Sequence, residues 1–261
     1  MKKFIFCICF VTSFLFLSAQ DIPEALKNDF SIEKANLATA VKNQGQTGTC
    51  WSFSTTSLLE SQLLKNNNSN INLSEMFTVR NIYLDKATNY VMRQGAAQFG
   101  EGGLGHNVIE AIAKYGSMPE EAYSGLLPTQ QEYNHSKLMN ELKIYLDSLL
   151  KHKPLMPHWQ KGVAQILDKY MGAAPDKFNF EGKEYTAKNF AVEVLKFNAS
   201  DYVNLTSFTH KPFYEPFIID IPDNFSNGSY YNIPMEELIK VTKAAINNGF
   251  TVLWDADVSN N

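Results

Sequence analysis

The sequence has only three cysteines, and two of them, Cys7 and Cys9, lie in an apolar run near the amino terminus. If that run is removed, Cys50 is the only thiol left, which excludes a framework of disulfides within the mature chain. An unpaired thiol in an exported protein is a liability unless chemistry requires it. The alternative is a buried and inert cysteine.

The sequence also lacks a strong excess of charge of either sign. It has 23 Lys and Arg against 27 Asp and Glu, a net charge of -4, and no basic block. Neither nucleic acid nor an anionic membrane surface is therefore predicted as a partner. No His-x-x-x-His or Cys-x-x-Cys spacing occurs, so neither a metal site nor a cofactor is predicted.

Long apolar runs are missing except at the amino terminus. Two lysines precede an apolar run over residues 4–17, and the small residues Ser18 and Ala19 follow it. This layout is typical of a secretory signal peptide, so residues 1–19 are predicted to be removed, leaving a domain over residues 20–261. The protein is expected to be exported, to the periplasm or outside the cell, with no membrane association after removal. A permanent anchor is the alternative, but the run is shorter than the roughly 20 residues that cross a bilayer.

Helical spacing dominates the first part of the mature chain. The apolar positions predict helices over residues 49–64, 74–89 and about 105–115. Thr49 is the predicted N-cap of the first helix, and Gly116 the stop of the third. Residues 129–170 are predicted to be a helical insertion in two pieces, divided by Pro154 and Pro157.

Strand-like sequence comes later in the chain. The runs that alternate or are rich in apolar residues are 185–186, 217–221 and 250–253. A further helix is predicted over residues 235–247. Helices followed by β-structure predict an α+β domain.

Cys50 falls in the first turn of the first predicted helix. The positive end of a helix dipole stabilises a thiolate, which is the reactive form of cysteine. Acyl transfer then places negative charge on the former carbonyl oxygen. The side-chain amide of Gln44 and the Cys50 backbone N–H are predicted to donate to that oxygen, with Cys50 as the nucleophile.

Residues 44–53, Gln-Gly-Gln-Thr-Gly-Thr-Cys-Trp-Ser-Phe, resemble the active-site segment of papain-like cysteine peptidases. The resemblance implies a papain-like fold, with a helical N-terminal lobe that carries the nucleophile helix and a β-rich second lobe. It also implies that a peptide substrate contacts a Gly-Gly loop, here Gly102 and Gly103, although a plain turn is the alternative reading. Trp51, which packs beside the nucleophile helix in that family, is grouped with these substrate-binding residues.

Thr47 stands where secreted papains have a cysteine, so their local disulfide is absent here. This absence is shared with the bleomycin hydrolase and aminopeptidase C branch, and several later segments are similar to that branch as well. They are residues 73–76, 102–103, 114–119, 212–216, 221–224, 231–234 and 254–258. The resemblance covers about residues 40–261. It implies an aminopeptidase that hydrolyses short peptides, and it allows a homo-oligomer of the full-length protein.

The family's general base is a histidine of the second lobe, oriented by an asparagine, and neither occurs at a matching position. The chain is therefore expected to be truncated before both residues, with an incomplete second lobe, and to be inactive alone. The weaker base candidates within the sequence are His106, His135, His152, His158 and His210. The alternative function is a catalytically inactive papain-like protein that binds peptides or a partner.

Overall fold

The described part of the chain is mainly helical. The computed structural model describes residues 31–67 and 69–256, so the predicted signal peptide lies outside the described residues. The helices are α1 Cys50–Asn67, α2 Glu75–Met92, α3 Gly105–Tyr115, α4 Ser136–Leu149, α5 Trp159–Met171, α6 Ala187–Glu193 and α7 Met235–Asn247. Within the described residues, no helix combines the length and apolar composition that a membrane span needs.

Helix α2 is the centre of the hydrophobic core. Its N-cap is Ser74, whose hydroxyl accepts a hydrogen bond from the Phe77 N–H at 3.0 Å. Val79 and Tyr83 are fully buried where α2 contacts α1, α3, α4 and α5. Each such side chain contributes roughly 1.5–3 kcal/mol to the free energy of unfolding, so burial on several sides, more than helix propensity, keeps α2 helical.

Two small sheets follow α5, with α6 between them and α7 after the second. The strands are β1 Phe178–Phe180, β2 Lys183–Tyr185, β3 Leu205–Thr206, β4 Pro216–Ile218 and β5 Ser229–Asn232. Strands β1 and β2 pair antiparallel. In the other sheet β5 lies in the middle, parallel to β3 and antiparallel to β4. The buried Asn232 side chain accepts from the Phe208 N–H and donates to the carbonyl of Pro212, and it thereby holds the loop between β3 and β4.

The predicted α+β order is confirmed, and most helix bounds agree with the sequence within three residues. Helix α7 has the predicted bounds, and α3 ends before Gly116, whose φ of 84° is easily adopted only by glycine. The predicted two helical pieces are α4 and α5, which lie within residues 136–171, with Pro154 and Pro157 between them. That this stretch is an insertion stays a prediction.

The strand predictions were less accurate. The predicted strand over residues 250–253 is wrong: the Phe250 N–H bonds to Ala245 at the end of α7, and the Phe250 carbonyl accepts from Asn36. Phe250 therefore bonds to a helix end and to a side chain rather than to a neighbouring strand. The predicted strand over residues 185–186 ends at Tyr185 because Thr186 caps α6, with its hydroxyl accepting from the Asn189 N–H. The strand predicted over residues 217–221 is β4, which ends at Ile218.

A buried histidine makes the stability of the helical core depend on pH. His135 is 3% exposed and shares a hydrogen bond of 3.0 Å with the Tyr83 hydroxyl. Burial lowers the pKa of His135 from 6.5 to about 4. Between those values the unfolded chain binds a proton that the folded chain does not, so the contribution is complete above pH 6.5 and is lost as the pH falls.

We expect His135 to make the protein about 2 kcal/mol less stable at pH 5 than at pH 7. His135→Gln should remove this part of the pH dependence, since glutamine can still bond to Tyr83 but does not titrate. Denaturant unfolding of both proteins at the two pH values measures the difference. Equal pH dependence in wild type and variant would contradict the assignment.

Candidate active site

Cys50 is the first residue of α1, and its thiol is exposed and unpaired. The N–H groups of Ser52 and Phe53 both bond to the Thr49 carbonyl, which is the expected pattern at a helix start. The Thr49 hydroxyl does not perform the predicted capping; it lies 2.6 Å from the Thr47 hydroxyl. The sulfur therefore stands at the N-terminal end of an 18-residue helix, which is the positive end of the helix dipole.

Gln44 lies in a tight turn just before Cys50. Gly45 has a φ of 61°, and a Cβ on it would lie 2.6 Å from the Tyr133 carbonyl oxygen, so only glycine suits the position. The turn is closed by the Thr47 hydroxyl, which donates to the Gln44 carbonyl at 2.8 Å. The Gln44 side-chain amide donates to the Thr47 carbonyl at 2.5 Å. An amide group has two N–H donors, so one remains for an oxyanion.

The loop before α4 is hydrogen-bonded to this turn. The Gln46 N–H donates to the Tyr133 carbonyl at 2.8 Å. The Gln46 side chain donates to Glu132 and accepts from Asn134, both at 2.9 Å. The prediction of helix from residue 129 is therefore wrong for residues 129–135: residues 132–134 bond to the turn before Cys50, and α4 begins only at Ser136.

The glycine-rich loop packs directly against the nucleophile helix. A Cβ on Gly103 would lie 2.9 Å from the indole ring of Trp51. Trp51 is 5% exposed, and its indole N–H donates to the Glu101 carbonyl at 2.9 Å. The Glu101 carboxylate in turn accepts from the Gly48 N–H at 2.6 Å. Trp51 thus lies under the loop and holds it in place; direct contact of its ring with a substrate stays a prediction.

Gly102 is packed against Asp223. A Cβ on Gly102 would overlap the carboxylate of Asp223, which lies between β4 and β5. Of the predicted site residues, Trp51 and Gly103 are in contact, Gly102 is next to Gly103 in the loop, and Gln44 lies in the turn just before Cys50. Their substrate contacts stay predictions.

Within the described residues, no hydrogen bond joins any of the five histidines to the Cys50 thiol. His106 is buried, with one ring nitrogen 3.1 Å from the Tyr230 hydroxyl and the other 3.2 Å from the Ser226 hydroxyl. Burial lowers the pKa of His106. His135 bonds to Tyr83, as described above. The remaining three are exposed on loops or helix ends: His152, His158 and His210.

Three charged residues beside the loop were not found from the sequence. They are Lys86, Glu101 and Asp223. Glu101 could have been suspected because it stands within the glycine-rich run, whereas Lys86 lies on α2 with no motif around it. Among the described residues, no three His, Cys, Asp or Glu side chains are grouped to hold a metal ion.

The fold and this site define a papain-like unit. The model of the papain family of cysteine proteases matches residues 26–145, and the model of the peptidase C1-like family matches residues 90–261. The second match covers more than half of the chain, and the chain therefore belongs to the peptidase C1-like family.

Individual relatives agree with this assignment. Aminopeptidase C of Listeria innocua is 25% identical and aligns with 84% of this chain, and a viral cathepsin of Autographa californica nuclear polyhedrosis virus is 37% identical over 94 residues, or 36% of this chain. The chain spans 58% of the first and 25% of the second. The crystal structure of PepW from Lactobacillus rhamnosis superposes with a TM-score of 0.65 at 17% identity, over 84% of this chain and 59% of that one. This likeness confirms the predicted papain-like fold.

The contact between Gly103 and Trp51 gives a stability prediction. Gly103→Ala should lower the free energy of unfolding by about 1–3 kcal/mol, because the indole ring has to move. Gly100→Ala is the matched control: its added Cβ would have only the end of the Gln98 side chain at 4.0 Å. We expect the control to stay within about 0.5 kcal/mol of the wild type. Denaturant unfolding measures the stability of both variants. Equal losses of stability would show that the Trp51 indole does not restrict the size of the side chain at residue 103.

Proposed function

We propose that the protein is a cysteine peptidase that cleaves peptide bonds through an acyl-enzyme at Cys50. The observation that carries the proposal is the exposed Cys50 thiol at the start of α1, next to the turn that holds the Gln44 amide. Membership of the peptidase C1-like family supports it.

The reaction follows from these positions. The thiolate attacks the carbonyl carbon of the peptide, a C–S bond forms, and the carbonyl electrons move to oxygen. The free Gln44 N–H and the Cys50 backbone N–H stabilise that oxyanion. Its collapse breaks the C–N bond, and the leaving amine takes a proton from a general acid. Water then hydrolyses the thioester and restores the thiol.

The proton transfers need a base, and no described histidine contacts Cys50. We place the base, together with the residue that orients it, in protein that is not among these 261 residues. The chain spans little more than half of the aminopeptidase C relatives, so the activity of the whole protein rests on this proposal. Export after removal of residues 1–19 stays a prediction.

Aminopeptidase activity on short peptides is the finer part of the proposal. The two aminopeptidase C relatives from Listeria species, both aligned with 84% of the chain, support it. Binding of peptides without cleavage is the second candidate, and it is favoured by the lack of a histidine at Cys50. Slow or no turnover of peptides by the native protein, isolated at its natural length, would select this second function.

The oxyanion assignment can be tested apart from the base. Gln44→Ala should slow acylation of Cys50 by an amino-acid p-nitrophenyl ester about 100-fold, because this leaving group needs no proton but the attack creates an oxyanion. Alkylation by iodoacetamide forms no oxyanion and should change less than about threefold. Release of p-nitrophenol and the mass of the labelled protein measure the two rates.

Gln46→Ala is the matched control on the same turn, because Gln46 is exposed and bonds to Glu132 and Asn134. It removes two bonds of the turn but no oxyanion donor, so any slowing should be the same for both reagents. If Gln44→Ala slowed the two reagents equally, Gln44 would act on the thiol itself or on folding, and the oxyanion role would be wrong.

A further inference from the structure

A buried lysine holds the glycine-rich loop. Lys86 on α2 is 4% exposed, and its ammonium donates to the Gly100 carbonyl at 2.8 Å and to the Gly102 carbonyl. It forms none of the ion pairs found among the described residues. All of its hydrogen bonds therefore go to the backbone of the loop that flanks Cys50.

Placing an ammonium group here is costly. Burial lowers the pKa of Lys86 to about 8, although the negative charges of Asp223 and Glu101 act against this. The group thus remains largely protonated at neutral pH. A buried charge usually destabilises a fold unless its hydrogen bonds are satisfied, so the bonds from Lys86 to the two loop carbonyls offset this cost.

The bonds of Lys86 fix the direction of specific peptide groups. The Gly102 carbonyl and the Gly103 N–H belong to one planar peptide unit and point to opposite sides. When Lys86 binds the carbonyl, the Gly103 N–H is directed away from α2. The Trp51 indole acts in the same way on the preceding peptide unit, because it binds the Glu101 carbonyl and so orients the Gly102 N–H.

Glu101 connects this loop to the nucleophile. Its carboxylate accepts from the Gly48 N–H at 2.6 Å, two residues before Cys50. A Cβ on Gly48 would lie 3.1 Å from the Glu101 Cβ, so the two backbones approach closely. The turn before Cys50 and the loop of Gly102 and Gly103 are therefore held at a fixed separation.

We propose that Lys86 and Glu101 are positioning residues for peptide binding. Lys86 sets the direction of the Gly102–Gly103 peptide unit, and Glu101 fixes that unit relative to Cys50, so that an extended peptide places its carbonyl carbon at the sulfur. The inference rests on the proposed function, since it assigns the residues that align the substrate of the same site.

Two reagents separate alignment from thiol reactivity. Iodoacetamide alkylates Cys50 without using the loop, whereas a dipeptidyl chloromethyl ketone must also bind its backbone there. For Lys86→Met and for Glu101→Ala, we expect the rate constant of the peptidyl reagent to fall about tenfold relative to iodoacetamide. Glu101→Gln keeps an acceptor for the Gly48 N–H and should recover most of the loss.

Lys114→Met is the control, because it removes a lysine that pairs with Asp85 on α2, is 58% exposed and does not contact the loop. It should leave the ratio of the two rate constants unchanged. Thermal unfolding of every variant confirms that it is folded. Should Lys86→Met fail to fold, Glu101→Ala and Glu101→Gln still decide the matter, because the Glu101 side chain is only half-buried.

The outcomes distinguish the two proposals. A wild type that reacts no faster with the peptidyl reagent than with iodoacetamide would overturn the proposed function itself. A wild type with a clear preference that Lys86→Met and Glu101→Ala both retain would overturn only the positioning role. A fall in both rate constants by the same factor would also overturn it, since the residues would then act on the thiol or on the fold.

Discussion

The site depends on the packing of Gly103 against the indole ring of Trp51. Trp51 is the second residue of α1, so the ring that supports the loop also fixes the helix start and the thiol beside it. The ring occupies the space that a Cβ at residue 103 would need, and its N–H bonds to the Glu101 carbonyl. Because closely packed interiors have few alternative arrangements, the nucleophile and the loop are held as one unit.

Hydrogen bonds hold the turn before Cys50 at the place where secreted papains have a disulfide. The turn before Cys50 carries Thr47 where secreted papains have a cysteine, and its hydroxyl bonds to the Gln44 carbonyl. The Glu101 carboxylate binds the Gly48 N–H, and the loop of residues 132–134 binds Gln46. A hydrogen bond contributes only about 0.5–1.5 kcal/mol, or more when one partner is charged. Several are needed to replace a disulfide, but their strength does not depend on the redox state of the compartment.

Local signals were enough to predict one part of this arrangement. The helix starts near residues 50 and 74 and the stop at Gly116 depend on neighbours within a few residues, and the sequence shows those neighbours directly. The bonds of Lys86 to the glycine-rich loop and of residues 132–134 to the turn join distant segments, and no spacing rule reveals them. The strand predicted over residues 250–253 was wrong for the same reason, since a strand exists only where a partner supplies its ladder.

Nucleophilic attack and proton transfer can be assigned to different parts of the protein because a thiol can lose its proton before it attacks. A serine hydroxyl needs a base at the moment of attack, whereas a cysteine reacts as its thiolate, which can form before the attack. Attack and oxyanion stabilisation therefore need only residues that the helical lobe and its turn contribute. Protonation of the leaving amine and activation of water need a titrating partner in addition. Under the proposed function, a papain-like unit keeps peptide alignment and nucleophilic attack in one lobe and proton transfer in the other, and Cys50, Gln44 and the glycine-rich loop are the groups proposed for the first of these tasks.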